Sequence, residues 1–128
     1  MIRKNTIVMA SAVLAFSMLG SGPALAHHSF AMFDSKKAVI IEGTVREFQW
    51  TNPHCWIQLT VKVGGKNVDY SIEGQSPNSL TRLGWARNVF KAGDKVKIKI
   101  HPLRDGSSGG AFISATFANG RVLMGEIK

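Results

Sequence analysis

The chain has 128 residues, a single cysteine and a formal net charge of +8 at neutral pH. This length supports one small domain with one hydrophobic core and excludes a second domain of ordinary size. A lone cysteine excludes an internal disulfide, so the core must hold the fold together.

Residues 1–26 have the pattern of a secretory signal peptide. The start is basic (Arg3, Lys4), an apolar run follows at 7–19, and small residues precede a cleavage site predicted after Ala26. A membrane anchor would need about 20 apolar residues, more than this run contains. We therefore predict export to the periplasm and no transmembrane segment after cleavage.

Cleavage leaves a net charge of +6, because the two charged residues removed with the signal peptide are both basic. An exported protein rarely meets nucleic acid, so we do not expect nucleic-acid binding. The charge then either serves solubility or attracts an acidic protein, a glycan or an anionic lipid.

The first half of the domain predicts three strands. Residues 38–50 form a long strand that Gly43 bends, and residues 51–54 form a turn. From Cys55 to Val63 apolar and polar residues alternate, which predicts that Cys55 is buried and that His54 and Trp56 lie on the opposite face. A glycine turn at 64–65 leads to a third strand whose inward residues are Val68, Tyr70 and Ile72.

The second half predicts a short helix and three more strands. Ser76 caps a helix that ends before Gly84, and residues 85–90 cover the core. A strand at 95–102 points Val96, Ile98 and Ile100 inward and Lys95, Lys97 and Lys99 outward, where the lysines either form a solvated face or protect a sheet edge. Residues 105–110 predict a flexible loop. A fifth strand with Ile113, Ala115 and Phe117 inward follows, then a hairpin at Asn119-Gly120 and a last strand at 121–127.

This order of elements predicts an all-β fold, a small OB-like barrel of five to six strands with one short helix, spanning residues 38–128. A small β-sandwich is the alternative. The segment 27–37 precedes the barrel and either binds metal or packs onto it.

Three motifs carry a resemblance. They are His-His-Ser-Phe-Ala-Met-Phe-Asp at 27–34, Glu-Gly-Thr-Val at 42–45 and Trp-Thr-Asn-Pro-His at 50–54. Together they resemble a family of small exported bacterial proteins catalogued as a domain of unknown function, and the likeness extends over nearly all of the chain after residue 26. It implies an exported all-β domain. It implies no activity and no catalytic residue.

The predicted mature terminus suggests metal chemistry. With His27 as the first residue, its amine and imidazole can chelate one ion, or the amine, an amide nitrogen and the ring of His28 can do so. Nitrogen ligands in a square-planar arrangement suit copper(II). A third nitrogen from His54 or His101 would complete a site of the histidine-brace kind, so the predicted metal ligands are His27, His28, His54 and His101.

The predicted role is that of a periplasmic copper-binding carrier or accessory protein that interacts with a metal ion or small ligand and with a protein partner. Enzyme activity is not expected, because no nucleophile elbow is present and the carboxylates form no close pair in the predicted strands. The alternative is a non-metal OB-like module that binds an acidic protein, glycan or lipid through Trp56 and the lysines of strand 95–102. A copper-dependent oxidase or monooxygenase is a third hypothesis, and it would also need an open coordination position on the copper ion.

Overall fold

The structure, a computed structural model, describes residues 30–126. After a single 3₁₀ turn at Phe30–Met32, the elements in chain order are β1 (Val39–Gln49), β2 (Trp56–Val63), β3 (Lys66–Glu73), α1 (Pro77–Arg82), β4 (Lys95–Pro102), β5 (Gly109–Phe117) and β6 (Val122–Met124). No helix within the described range is long and apolar enough to cross a membrane. The signal peptide predicted at 1–26 lies outside the described residues.

Five strands close into a barrel. Their order is β3-β2-β1-β4-β5, and a parallel pairing of β3 with β5 joins the two ends of the sheet, whereas the other pairs are antiparallel. β6 adds to β5 as an extra strand. The predicted OB-like barrel with one short helix is confirmed, and the alternative of a β-sandwich is wrong.

The core is built from the inward faces that strand periodicity predicts. Alternate residues of β2 and β4 are buried, and Cys55 is buried beside them, as expected. Trp85 and Phe90 follow α1 and pack against each other and against Phe112. Residues 85–90 therefore cover one end of the core, as the sequence indicates.

Gly43 lies where β1 and β2 approach each other closely. A Cβ atom at this position would lie 2.8 Å from the carbonyl oxygen of Thr60, closer than real Cβ contacts come. Two residues beyond Gly43, a bulge between Val45 and Glu47 changes the register of β1 against β2. Val39, at the start of β1, is exposed.

β4 is an interior strand of the barrel. It pairs with β1 on one side and with β5 on the other. The suggestion that its lysines protect a sheet edge is therefore wrong. The lysines form a charged outer face of a closed barrel.

The predicted flexible loop at 105–110 is wrong at its second half, because Gly109 and Gly110 are buried residues of β5. A Cβ atom on Gly109 would collide with the carbonyl oxygen of Ser71, and one on Gly110 would collide with that of His101. Gly109 thus allows β5 to approach its parallel partner β3 where the barrel closes, and Gly110 allows β5 to approach the antiparallel strand β4.

The inward face of β5 also differs from the prediction. A register shift after Lys99 pairs Ile100 with Phe112, so Phe112 is buried in the core, whereas Ile113 is half-buried. β6 ends at Met124, earlier than the predicted last strand.

Residues 30–37, here called the N-terminal strap, run along the end of β4. Phe33 is 5% exposed and forms a bridge with Leu103. The amide of Asp34 donates to the carbonyl of Pro102 (2.8 Å), and that of Arg104 donates to the carbonyl of Met32 (3.0 Å). The strap is thus fixed to the barrel by backbone hydrogen bonds and one buried ring.

The carboxylate of Asp34 contacts two other residues of the strap, Lys36 and Lys37. It lies 3.4 Å from the Nζ atom of Lys37 and accepts a hydrogen bond from the amide of Lys36. Burial acts to raise the pKa of Asp34, but these hydrogen bonds and the charges of Lys37 and Arg104 outweigh it and hold the pKa below its ordinary value.

Candidate functional site

His54 ends the turn between β1 and β2. The hydroxyl of Thr51 donates to the carbonyl of His54 at 2.7 Å, and a cis peptide bond joins Asn52 and Pro53. The next residue, Cys55, exchanges backbone hydrogen bonds with Gly74 and Gln75 just beyond β3. These bonds hold the imidazole of His54 against the end of β3.

The two ring nitrogens of His54 have different partners. Nδ1 lies 3.1 Å from the carbonyl oxygen of Gly74. Because a carbonyl oxygen can only accept, Nδ1 donates the hydrogen bond to it. Nε2 lies 3.5 Å from Oε1 of Glu73. The ring is therefore held with Nε2 beside the carboxylate of Glu73.

Glu73 is the residue of this site that sequence reasoning missed. Its side chain is 8% exposed, and it follows the core residue Ile72, so it points to the outer face of β3. In the hairpin formed by β2 and β3, Glu73 pairs with Trp56. That register follows from the glycine turn at 64–65, so counting across the hairpin would have placed Glu73 two residues from His54.

His101 lies on the outer face of β4, after the buried Ile100. Its Nδ1 is 2.7 Å from the carbonyl oxygen of Lys37 in the strap, so Nδ1 is the protonated nitrogen here too. Ala111 of β5 pairs with His101 on one side and with Glu73 on the other. Glu73 and His101 are thus two strand spacings apart, about 10 Å, on the same outer face.

The four histidines predicted as metal ligands are described only in part. His27 and His28 lie outside the described residues. Glu73, Ala111 and His101 form a row of paired residues across three strands. His101 stands at one end of this row, and His54 lies beside Glu73 at the other. Within residues 30–126, no three side chains of His, Cys, Asp or Glu come together as a group that could hold a metal ion.

Cys55 does not contribute to the site. Its side chain is buried, and burial raises the pKa of the thiol, although a hydrogen bond with the backbone of Thr51 acts in the opposite direction. A protonated, enclosed thiol is a packing group and a poor metal ligand.

The two tryptophans on either side of the β1–β2 turn lie in different surroundings. Trp50 packs against the core, and its ring contacts that of Phe48 at 5.8 Å between centroids. Trp56 and Gln58 remain on the outer face of β2, where the amide of Gln58 donates to Gln49 at 3.1 Å. Trp50 and Trp56 therefore do not form one surface.

The arrangement at His54 and Glu73 suits cation binding. A neutral imidazole fixed by a backbone carbonyl is the form in which histidine binds metals, and a neighbouring carboxylate adds negative charge. The barrel supplies one imidazole, that of His54, and one carboxylate, that of Glu73, so a complete metal site would need further ligands.

The model of a family of unknown function, DUF6152, matches residues 15–112. The chain therefore belongs to this family, and the predicted resemblance to an uncharacterised family is confirmed at that level. No curated protein and no solved structure gives a significant match to the chain.

Proposed function

We propose that this member of the DUF6152 family is an exported periplasmic protein that binds copper in a carrier or accessory role. In this proposal the amine and imidazole of His27, the first residue after cleavage, chelate the ion. Nε2 of His54 supplies the third nitrogen. Glu73 balances the charge of the bound cation.

The observation that carries the proposal is the orientation of His54. Its Nδ1 lies 3.1 Å from the carbonyl oxygen of Gly74, and its Nε2 lies 3.5 Å from the buried carboxylate of Glu73. Metal-binding histidines commonly donate their second ring nitrogen to a backbone carbonyl or a carboxylate, which fixes the tautomer and the direction of the ring.

The length of chain between His27 and the strap sets a limit that the proposal must meet. The backbone of the strap is bonded to the barrel at Met32 and Asp34, and three peptide steps separate His27 from Phe30. An extended segment of this length spans roughly 10 Å. The proposal therefore requires that Nε2 of His54 lie within about this distance of Phe30.

His28 and His101 are the competing ligands. His28 would act through the terminal amine and a deprotonated amide, without any residue of the barrel. His101 also has a fixed Nδ1, through the carbonyl of Lys37. We favour His54 because a buried carboxylate lies beside its donor nitrogen, a feature that the described neighbours of His101 do not include.

Copper suits this donor set better than zinc. Three nitrogen ligands in a planar arrangement are typical of copper(II), which also binds most tightly among the first-row divalent ions. A structural zinc site requires four fixed side chains. The enclosed Cys55 offers no thiolate to complete such a set.

The test is a copper(II) titration monitored by electron paramagnetic resonance. The protein is recovered from the periplasm, and mass spectrometry confirms His27 as its first residue. One ion per chain with several nitrogen couplings is expected. Acetylation of the terminal amine should abolish tight binding, because the blocked nitrogen can no longer chelate the ion together with the ring of His27. Equal affinity of the acetylated and the unmodified protein would contradict the proposal.

Variants of the barrel histidines identify the third ligand. His54→Gln should lose one nitrogen coupling and weaken binding, whereas the matched variant His101→Gln should change neither. The reverse result would assign His101 instead. Unchanged binding in both would leave a site made by His27 and His28 alone.

The carrier role predicts that the copper-loaded protein does not turn over oxygen. With a reductant present, oxygen consumption should stay below that of the same concentration of free copper, because chelation by three fixed nitrogens restrains the redox cycling of the ion. Sustained oxygen consumption above that of free copper would instead indicate an oxidase.

A further inference from the structure

A second surface of the barrel, away from His54, forms an open cleft of about 540 Å³. We call it the lysine cleft. Its polar lining comes from four strands, β1, β2, β4 and β5: Glu42, Thr44, Thr60, Lys62, Lys95, Lys97 and Thr116. Neither His54 nor Glu73 lines it.

The strand register brings these side chains together. Thr44 pairs with Thr60 of β2 on one side and with Lys95 of β4 on the other. Lys62 lies two residues further along β2 from Thr60, on the same face. Two hydroxyls and two ammonium groups thus occupy adjacent positions on three neighbouring strands, about 5 Å apart from strand to strand.

One lysine of the cleft is already neutralised. Nζ of Lys97 lies 2.7 Å from Oε1 of Glu42, and this hydrogen bond and the charge of Glu42 raise the pKa of Lys97. Lys62 and Lys95 take part in no ion pair within residues 30–126. The cleft therefore presents two positive charges that the barrel itself does not balance.

The hydroxyls add directional donors to this charge. Thr44 and Thr60 are half-buried, and among the described residues their side chains make no hydrogen bond to the protein. A threonine hydroxyl can donate one hydrogen bond to an anion while the neighbouring ammonium groups supply charge. This combination favours an oxyanion over a simple halide.

We propose that the lysine cleft binds the phosphate group of an anionic ligand. Lys62 and Lys95 hold the charge of the phosphate, and the hydroxyls of Thr44 and Thr60 donate to its oxygens. The proposal goes beyond copper binding and does not depend on it, because it uses different residues and a different face of the barrel.

Phosphate fits the cleft better than a carboxylate. A phosphate monoester carries nearly two negative charges at neutral pH and offers three acceptor oxygens, which matches two ammonium groups and two hydroxyls. A carboxylate carries one charge and two oxygens. The volume, about 540 Å³, is in the range of small-molecule sites, so the cleft has room for an organic group attached to the phosphate.

The same phosphate chemistry has two sources in an exported protein, a soluble phosphate ester or the headgroup of an anionic lipid. Both are tested on metal-free protein that begins at His27, so that copper does not bind the probe. The first probe is inorganic pyrophosphate in an isothermal titration at low salt. The second is a set of vesicles containing phosphatidylglycerol, compared with vesicles of phosphatidylcholine alone.

The decisive comparison uses two double variants of equal charge. Lys62→Gln with Lys95→Gln should weaken binding of the responding probe at least about tenfold, because both unbalanced charges are lost. Lys66→Gln with Lys91→Gln removes two exposed lysines outside the cleft and should leave binding nearly unchanged. Equal weakening in the two variants would show an effect of net charge and overturn the proposal, as would a wild-type protein that binds neither probe.

Glu42 provides a test in the opposite direction. Glu42→Gln removes the negative charge from the lining and releases Lys97, so the responding probe should bind more tightly. Unchanged or weaker binding would place the anion outside the lysine cleft and would also overturn the proposal. A response to pyrophosphate identifies a soluble source, and a response to phosphatidylglycerol vesicles alone identifies the lipid.

Discussion

Nε2 of His54 lies 3.5 Å from Oε1 of Glu73, and only 8% of the Glu73 side chain is exposed. A carboxylate removed from water is stabilised by a positive charge at close range. The imidazole meets this need when it is protonated, and a metal ion bound at Nε2 would meet it as well. A cation bound at this pair would therefore interact directly with the buried carboxylate of Glu73.

Glu73→Gln should weaken copper binding by roughly tenfold or more, in the range found for residues that support metal ligands. The change keeps the shape of the side chain and removes its charge. Competition for copper(II) with a coloured chelator measures the effect. Glu47→Gln, an exposed position on the outer face of β1, is the matched control and should bind as the wild type does. Equal affinity of the Glu73 variant and the wild type would remove Glu73 from the site.

Asp34 should make the strap sensitive to acid. Because the pKa of Asp34 is lower in the folded protein than its ordinary value of 3.8, its ionised form stabilises the fold above that pH. This stabilisation is lost as the pH falls through the lower, folded-state pKa. Tm measured against pH should thus show Asp34→Asn below the wild type at neutral pH, with the difference shrinking in acid. A constant difference would contradict the assignment.

Gly110→Ala should destabilise the barrel, because the added methyl group meets the carbonyl oxygen of His101 and lies 2.8 Å from Cδ1 of Ile100. Forcing extra atoms into a packed site typically costs about 1–3 kcal/mol, and backbone on one side leaves little room to relax. Denaturation in urea measures the change in the free energy of unfolding. Gly74→Ala is the control, since its nearest contact is an ordinary 3.4 Å. Equal losses in the two variants would show that close packing at Gly110 is not the cause.

Cys55 should be nearly inert toward thiol reagents in the folded protein. Its side chain is 1% exposed, and burial raises the pKa of the thiol, so little reactive thiolate is present. Modification measured with a coloured disulfide reagent should become fast only when denaturant unfolds the chain. Cys55→Ser should lower the free energy of unfolding by about 1–3 kcal/mol, because a hydroxyl is more costly to bury than a thiol. Rapid labelling without denaturant would contradict the buried position.

Most of the barrel follows from periodicity in the sequence. The alternation in β2 and β4, the glycine turn between β2 and β3 and the cap at Ser76 each depend on neighbouring residues, so a linear pattern reveals them. In the structure the hydroxyl of Ser76 accepts from the amide of Ser79, and β4 has the predicted bounds. These features were predicted correctly because they are local.

The parts that could not be predicted depend on partners distant in the chain. Gly109 and Gly110 have the composition of a loop, and only the approach of β3 and β4 makes them strand residues. The register shift after Lys99 exchanges Ile113 for Phe112 in the core, although Ile113 fits the alternation equally well. The burial of Glu73 likewise depends on the packing around β3, although strand pairing places the residue near His54. Neither the register shift between β4 and β5 nor the burial of Glu73 can be recognised from the spacing of residues in the sequence.

The parallel pairing of Ser71 with Gly109 also determines how the chain can fold. About 40 residues separate these partners, and such non-local pairings are slow to form. Until then the outer edges of β3 and β5 expose unpaired backbone groups that can recruit other chains. The interval before ring closure is thus the period in which this small protein is most open to aggregation, and substitutions at the two glycines should lengthen it.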